Sequence, residues 1–222
     1  MKGIAISMGE MKIKLKEVVK PIKKRPYQLN SRYKEKACQE LDRMLETRII
    51  FRVEESEWIS PMVVQVKKID KIHIYVDLRN LNAVCVHDTL PTPFIGEVLE
   101  IIGGREAYSF TDNFSSYYHV RIVEEDGKKT LFATEWGSFT YIVMPFGLKN
   151  APIVFSRVAV ASFKESMHKF LEVYLDDWTV FSLLKQYLQV PGLMLDMCRK
   201  LQISLNINKC LFCTSFEILL EP

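Results

Sequence analysis

Apolar positions along the chain fall into two rhythms. Ala37, Leu41, Met44, Leu45 and Ile49 keep the three-to-four spacing of one helix face, which predicts an amphipathic helix capped by Ser31 and ending near residues 47–50. Residues 61–66 and 72–77 alternate instead. Ile72, Ile74 and Val76 face one way and His73, Tyr75 and Asp77 the other, so the two runs predict a hairpin around the polar turn 67–71. Pro91 and Pro93 break the chain before a short helix over 95–102, which Gly103 and Gly104 stop. Strand-like runs follow at 108–111, 119–123, 130–134 and 139–143, divided by turn formers at 125–127 and 136–137. Asn150, Ala151 and Pro152 read as the cap and first turn of a helix whose core face carries Val154, Phe155, Val158, Ala161 and Phe163. Runs at 171–175 and 178–181 flank an acidic tip, a helical stretch reaches Leu201, and strand-like runs follow at 203–205 and 216–220. Helices and strands mix without regular alternation, which predicts an α+β fold with helices packed on an antiparallel sheet.

Composition narrows the class. With 48% hydrophobic and 26% charged residues among 222, the chain can bury a sizeable core and lies outside the disordered range. No stretch nears the roughly 18 uninterrupted apolar residues of a membrane span, and the lysine-dotted start lacks the apolar block of a secretory signal. An intracellular protein without a membrane partner is expected, with nothing to separate a cytoplasmic particle from the nucleus. The five cysteines are an odd, scattered set that suits a reducing compartment. Cys210 and Cys213 form a lone Cys-x-x-Cys pair. Zinc needs four ligands and no second pair lies near, so two small side chains packed by a strand end are the plainer reading.

The net charge of +3 is unevenly spread: residues 11–36 hold Lys12, Lys14, Lys16, Lys20, Lys23, Lys24, Arg25, Arg32, Lys34 and Lys36 against Glu17 and Glu35. A basic leader over 1–26 is therefore expected, with Lys20, Lys23, Lys24 and Arg25 as candidates for nucleic-acid phosphates by counterion release. The bland alternative is a leader whose charges simply face water.

The chemistry concentrates at Tyr174-Leu175-Asp176-Asp177-Trp178. Two adjacent carboxylates at the tip of an apolar hairpin repel each other, and no lysine or arginine lies within four residues on either side to neutralise them. Either the tip is a solvated acidic turn or divalent cations neutralise it. Magnesium takes hard oxygen ligands and leaves positions for water and phosphate oxygens. Asp112 ends the run 108–111, and a neighbouring hairpin that brought Asp176 and Asp177 beside it would group three carboxylates for a two-metal phosphoryl transfer.

Four segments in order resemble the reverse transcriptases of gypsy-type long-terminal-repeat retrotransposon Pol polyproteins. Residues 174–177 resemble the tyrosine-x-Asp-Asp box, and Met144-Pro145-Phe146-Gly147-Leu148-Lys149-Asn150-Ala151-Pro152 resembles the branch's Pro-Phe-Gly signature. Residues 76–82 are similar to the fingers motif, and 110–117 to the first catalytic strand. Four ordered boxes are far more specific than one.

The resemblance implies a right-hand polymerase fold, with fingers over 27–86 and 120–147, palm over 87–119 and 148–222, and no thumb within the chain. It implies RNA-directed DNA polymerase activity with two Mg²⁺ ions, or Mn²⁺ in their place, held by Asp112, Asp176 and Asp177. The partners would be a primed RNA or DNA template and dNTPs, with the protease, ribonuclease H and integrase domains lying outside this chain. Tyr117 would gate against a ribose 2′-hydroxyl, or be a core aromatic. Pro145, Phe146 and Gly147 would shape the nucleotide pocket, and Lys67, Lys68 and Lys71 would meet triphosphate. Arg79 would touch substrate or be held in a surface ion pair.

Departures from the pattern favour a second reading, an inactive copy that at most binds nucleic acid. His73 stands where the family has a triphosphate-gripping arginine, and a neutral imidazole does not replace that fork. Residues 113–119 depart from the usual glycine and His-Gln. Pro191-Gly192 is expected to interrupt a helix at a cost of about 3 kcal/mol. The chain also ends where the family continues into a primer-gripping hairpin and thumb, as a fragment would.

Overall fold

The computed structural model describes residues 9–54, 56–66, 72–89, 94–112, 116–175, 177–183, 185 and 189–214, with backbone alone for Asp112, Ser116 and Cys213. The chain divides into two compact units, Glu10–Asp88 with Tyr117–Ala151, and Thr89–Ser116 with Pro152–Pro222.

In the first unit, helix α1 (Ser31–Glu46) buries Ala37, Leu41 and Met44, the face its spacing predicts. Its cap is one residue earlier than expected: Asn30 is extended, and its side-chain oxygen accepts from Arg32 N at 3.0 Å, so Ser31 is already helical. The sheet runs in the order β1 (Ile50–Arg52), β6 (Gly137–Tyr141), β5 (Phe132–Thr134), β2 (Ser60–Val66), β3 (Ile72–Val76). The β2–β3 hairpin pairs Val63 with Tyr75 and Gln65 with His73, as the alternation requires. The turn 67–71 lies outside the described residues.

This sheet is mixed, because β2 and β5 run parallel at Ser60↔Phe132, a pairing open to strands joined by a long connection. One expectation is corrected in this unit. The run 119–123 is no strand: a 3-10 turn, Ser116–His119, precedes isolated bridges and a helical turn, α4 (Glu124–Gly127). The Asp126 carboxylate accepts from Ile13 N at 2.7 Å and from the Lys129 ammonium, so tertiary partners fold this stretch.

Further tertiary contacts dock part of the basic leader. Met11 and Ile13 are each 2% exposed, while Lys12, Lys14 and Lys16 are exposed between and beyond them. Met11 bridges Ile122 and Leu15 bridges Cys85. Alternation of period two was present at residues 11–16 and the clustered lysines hid it.

The second unit is an antiparallel sheet in the order β7 (Leu171–Tyr174), β8 (Asp177–Ser182), β4 (Ala107–Asp112), β9 (Leu211–Thr214). Helix α3 (Ile95–Ile102) ends with Gly103 N donating to Leu99 O, and Gly104 takes a φ of +73° that glycine tolerates. Its Val98 and Ile102 pack with Tyr108 and Phe181. Helix α5 (Ala151–Phe163) supplies Phe155 and Phe163, whose rings lie 6.4 and 4.7 Å from that of Trp178.

Helix α6 (Gln189–Leu201) corrects the expected proline break. Pro191 is the third helical residue and buried, in the first turn where a backbone N–H has no helical acceptor, so its missing proton costs no bond. The strand after α6 is β9, where none was expected, and 216–220 lies outside the described residues. No disulfide joins Cys38, Cys85, Cys198 and Cys210, and burial pushes the Cys198 thiol up to about 12. Among the described residues no helix is long and apolar enough to cross a membrane.

Candidate active site

The acidic positions meet through the second unit's sheet. β4 and β8 pair in continuous register from Ala107↔Ser182 to Asp112↔Asp177, so the last residue of one strand stands opposite the first of the other. Directly opposed Cα atoms lie about 4.5–5.5 Å apart in an antiparallel pair. β8 is buried from Trp178 onward and exposed at Asp177, so the hydrophobic run holds the acidic end at the surface. Tyr174↔Asp177 closes the β7–β8 hairpin over two residues. Leu175 there has a φ of +54°, the left-handed backbone that tight hairpins use and that costs a leucine about 1–2 kcal/mol. Asp176 lies outside the described residues. Among those described, no group of three His, Cys, Asp or Glu side chains is poised for a metal.

A second set of expected residues gathers in the first unit around the 144–149 loop. Met144 and Pro145 are buried, whereas Phe146 and Gly147 are exposed, and Gly147 has a φ of +92°. The Tyr117 ring meets Phe146 edge-on at 4.8 Å and Tyr118 does so at 5.6 Å. Tyr117 is 9% exposed. Burial, with Glu40 nearby, pushes the Tyr118 phenol up to about 12.

Asn82 was not singled out from the sequence, yet it holds this loop. Its amide donates to Gly147 O at 2.7 Å and accepts from Lys149 N at 2.8 Å, a two-point clamp that links α2 (Arg79–Val84) to the loop. Asn150, expected as a helix cap, instead donates to Val86 O at 2.8 Å and accepts from Asp88 N at 3.2 Å. Only contact between distant segments reveals either role.

Beside the loop lies a cleft of about 440 Å³ lined by Val63, Gln65, Tyr75, Asp77, Arg79 and Gly147, among others. The Arg79 fork binds Asp77 at 2.7 and 2.8 Å, and Tyr27 donates to the same carboxylate at 3.1 Å. The Arg79 guanidinium is the chief reason the Asp77 pKa falls well below the usual carboxylate range. The folded-state pKa is depressed, so the pair's contribution is present above the ordinary carboxylate pKa and fades as pH drops beneath it. His73 stacks on Tyr75 at 6.3 Å. Lys67, Lys68 and Lys71 lie outside the described residues. Lys20, Lys23 and Arg25 are exposed, Lys24 is half-buried, and Lys24 N donates to Ile59 O at 2.8 Å.

The sequence profile described as reverse transcriptase (RNA-dependent DNA polymerase) matches residues 22–219. The chain is 30% identical over 198 residues to the Retrovirus-related Pol polyprotein from transposon 297 of Drosophila melanogaster, covering 86% of this chain and 19% of that one. It is 33% identical over 162 residues to that from transposon opus of the same fly, covering 71% of this chain and 16% of the polyprotein. The chain thus spans less than a fifth of the length of these relatives. Its fold matches the foamy viral protease-reverse transcriptase solved with ds DNA at a TM-score of 0.80 and 18% identity, over 91% of this chain and 36% of that one. The right-hand polymerase fold expected from the four boxes is therefore present, and the chain belongs to the reverse transcriptase family, with gypsy-type retrotransposon Pol polyproteins among its relatives.

Proposed function

We propose that this chain is the fingers and palm of an RNA-directed DNA polymerase that transfers nucleotides from dNTPs to a primer 3′-hydroxyl on an RNA or DNA template. The first unit is read as fingers and the second as palm. The observation that carries the reading is the Asp112↔Asp177 pairing at the end of a buried ladder, with Asp176 next in the chain. It favours the polymerase over an inactive copy, and the first-turn position of Pro191 removes one argument for decay.

The donor set suits hard divalent cations: three carboxylates, with no lysine or arginine within four residues of the 176–177 tip. Asp112, Asp176 and Asp177 would hold two Mg²⁺, or Mn²⁺ in their place. Such ions, when bound, supply activation of the primer hydroxyl and neutralisation of charge on the triphosphate. The chain's own groups do the rest. Tyr117, braced by Phe146, excludes a ribose 2′-hydroxyl. Pro145, Phe146 and Gly147 form the pocket wall that Asn82 keeps in place. Lys67, Lys68 and Lys71, with Arg79 steadied by Asp77, meet phosphate charge, and His73 contributes fixed positive charge only when protonated. The protease, ribonuclease H and integrase of a Pol polyprotein would be its neighbours.

Primer extension on an RNA template, with and without Mg²⁺ or Mn²⁺, tests the reading. Template-dependent incorporation that needs metal is expected; binding without incorporation favours the inactive copy. Shortening Tyr117 to Val should lower the preference for dNTPs over rNTPs by about tenfold or more, because steric exclusion is lost. Tyr117→Phe should leave it unchanged, and an unaltered ratio in Tyr117→Val returns the residue to a packing role. Asn82→Ala should raise the dNTP KM by about tenfold with less change in kcat, since a loosened pocket wall binds the ground state and the transition state equally less well. Equal loss in kcat at constant KM would remove Asn82 from the pocket.

A further inference from the structure

We propose that Lys12, Lys14 and Lys16, with Lys149, form a phosphate-binding ridge for the sugar-phosphate backbone of a nucleic-acid strand. The inference rests on the polymerase reading and adds to it a contact surface in the docked N-terminal segment.

Backbone pairing fixes the row. Met11 N donates to Arg121 O and Val123 N to Met11 O; further on, Val86 N donates to Lys14 O and Lys16 N to Val84 O. Met11 and Ile13 are sunk in the core, so the lysines between and after them are turned outward by alternation. Lysines two residues apart on an extended chain recur about every 6.6 Å, near twice the 3.4 Å axial rise per phosphate of one strand. The lysines therefore leave the backbone at a spacing that lets their flexible stems reach successive phosphates.

Lys149 joins the row through α2. Leu15 bridges Cys85, the Lys16 ammonium donates to Ala83 O at 2.9 Å, and Asn82 accepts from Lys149 N. Lys16 and Lys149 both act on the buried Cys85 thiol, as does Lys129. No carboxylate lies within ion-pair distance of Lys12, Lys14, Lys16 or Lys149 among the described residues. Lys129, by contrast, is paired with Asp126. Glu10 and Glu17 border the row at its two ends.

Nucleic acid fits better than an anionic membrane. Surface-bound segments insert apolar residues, and here Met11 and Ile13 are spent in the core. Lys149 also shares its anchor, Asn82, with the carbonyl of Gly147, so the ridge adjoins the loop assigned to the nucleotide pocket.

The test is binding of the unmodified chain to a labelled DNA duplex and to an RNA–DNA hybrid between about 50 and 200 mM salt. Replacing Lys12, Lys14 and Lys16 together by Gln should flatten the plot of log affinity against log salt by about 3, and Lys149→Gln by about 0.9. The triple Arg variant should keep the original slope, and Lys164→Gln should leave it unchanged. Lys14→Gln alone, expected to lose about 0.9, keeps the test decisive if the triple Gln variant misfolds. An unchanged slope in folded Gln variants overturns the ridge. So does binding to phosphatidylserine vesicles that the Gln variants lose while still holding DNA normally. Absence of metal-dependent extension by the unmodified chain, with the slopes as expected, would instead sink the polymerase reading and leave the ridge standing.

Discussion

Asp177→Asn is expected to abolish measurable metal-dependent extension, by on the order of a hundredfold to a thousandfold, while leaving the fold at least as stable. The two effects have one cause. Removing a group that stabilises transition-state charge costs about that much in rate. The same carboxylate stands opposite Asp112 in the β4–β8 ladder, and like charges directly opposed in an antiparallel pair destabilise it by roughly 0.2–1 kcal/mol. Asparagine keeps the volume and removes the repulsion, so thermal stability should hold or rise slightly while activity falls. Asp112→Asn should behave in the same way. Full extension by folded Asp177→Asn protein would end the catalytic assignment, and a large loss of stability would show that the carboxylate serves the fold.

Phe163→Ala should be among the most damaging substitutions to the second unit, at about 3–5 kcal/mol. Phe163 is fully buried and meets the edge of Trp178, which is 1% exposed and also stacked on Phe155. Alanine would leave a cavity beneath β8, the strand that carries Asp177. At roughly 2–4 °C per kcal/mol for a chain of this size, the melting temperature should fall by about 10 °C. Trp178→Phe gives the contrast. The indole Nε1 is buried without a hydrogen-bond partner among the described residues, and such a donor costs about 1–3 kcal/mol. Phenylalanine removes that donor together with some packing, so a change within about 1 kcal/mol is expected. Thermal unfolding followed by circular dichroism checks both. A mild Phe163→Ala or a severe Trp178→Phe would mean that this aromatic stack is not what holds β8.

Much of the local structure was legible because it depends on neighbours in sequence. The face Ala37, Leu41 and Met44 predicts α1, and the alternation of Ile72, Ile74 and Val76 predicts β3. The apolar run up to Ile102 followed by Gly103-Gly104 predicts α3. Composition can hide periodicity: the lysines that mark a charged leader in the sequence form the outer side of a segment docked through Met11, Ile13 and Leu15. A proline read as a helix breaker sits where a helix start tolerates it, a difference of a few residues in one boundary.

By itself the sequence determined the kind of protein: an α+β chain with ordered polymerase boxes, an acidic hairpin tip and the helices and hairpins whose apolar spacing is local. Only the tertiary structure decided which distant groups meet. The register of Asp112 on Asp177, the parallel pairing of β2 with β5, the Asn82 clamp on 147–149 and the burial of Met11 and Ile13 all join segments far apart in the chain. Such pairings are settled by the packing of whole sheets, where a one-residue slip would turn every side chain to the wrong face, and no local pattern carries that information.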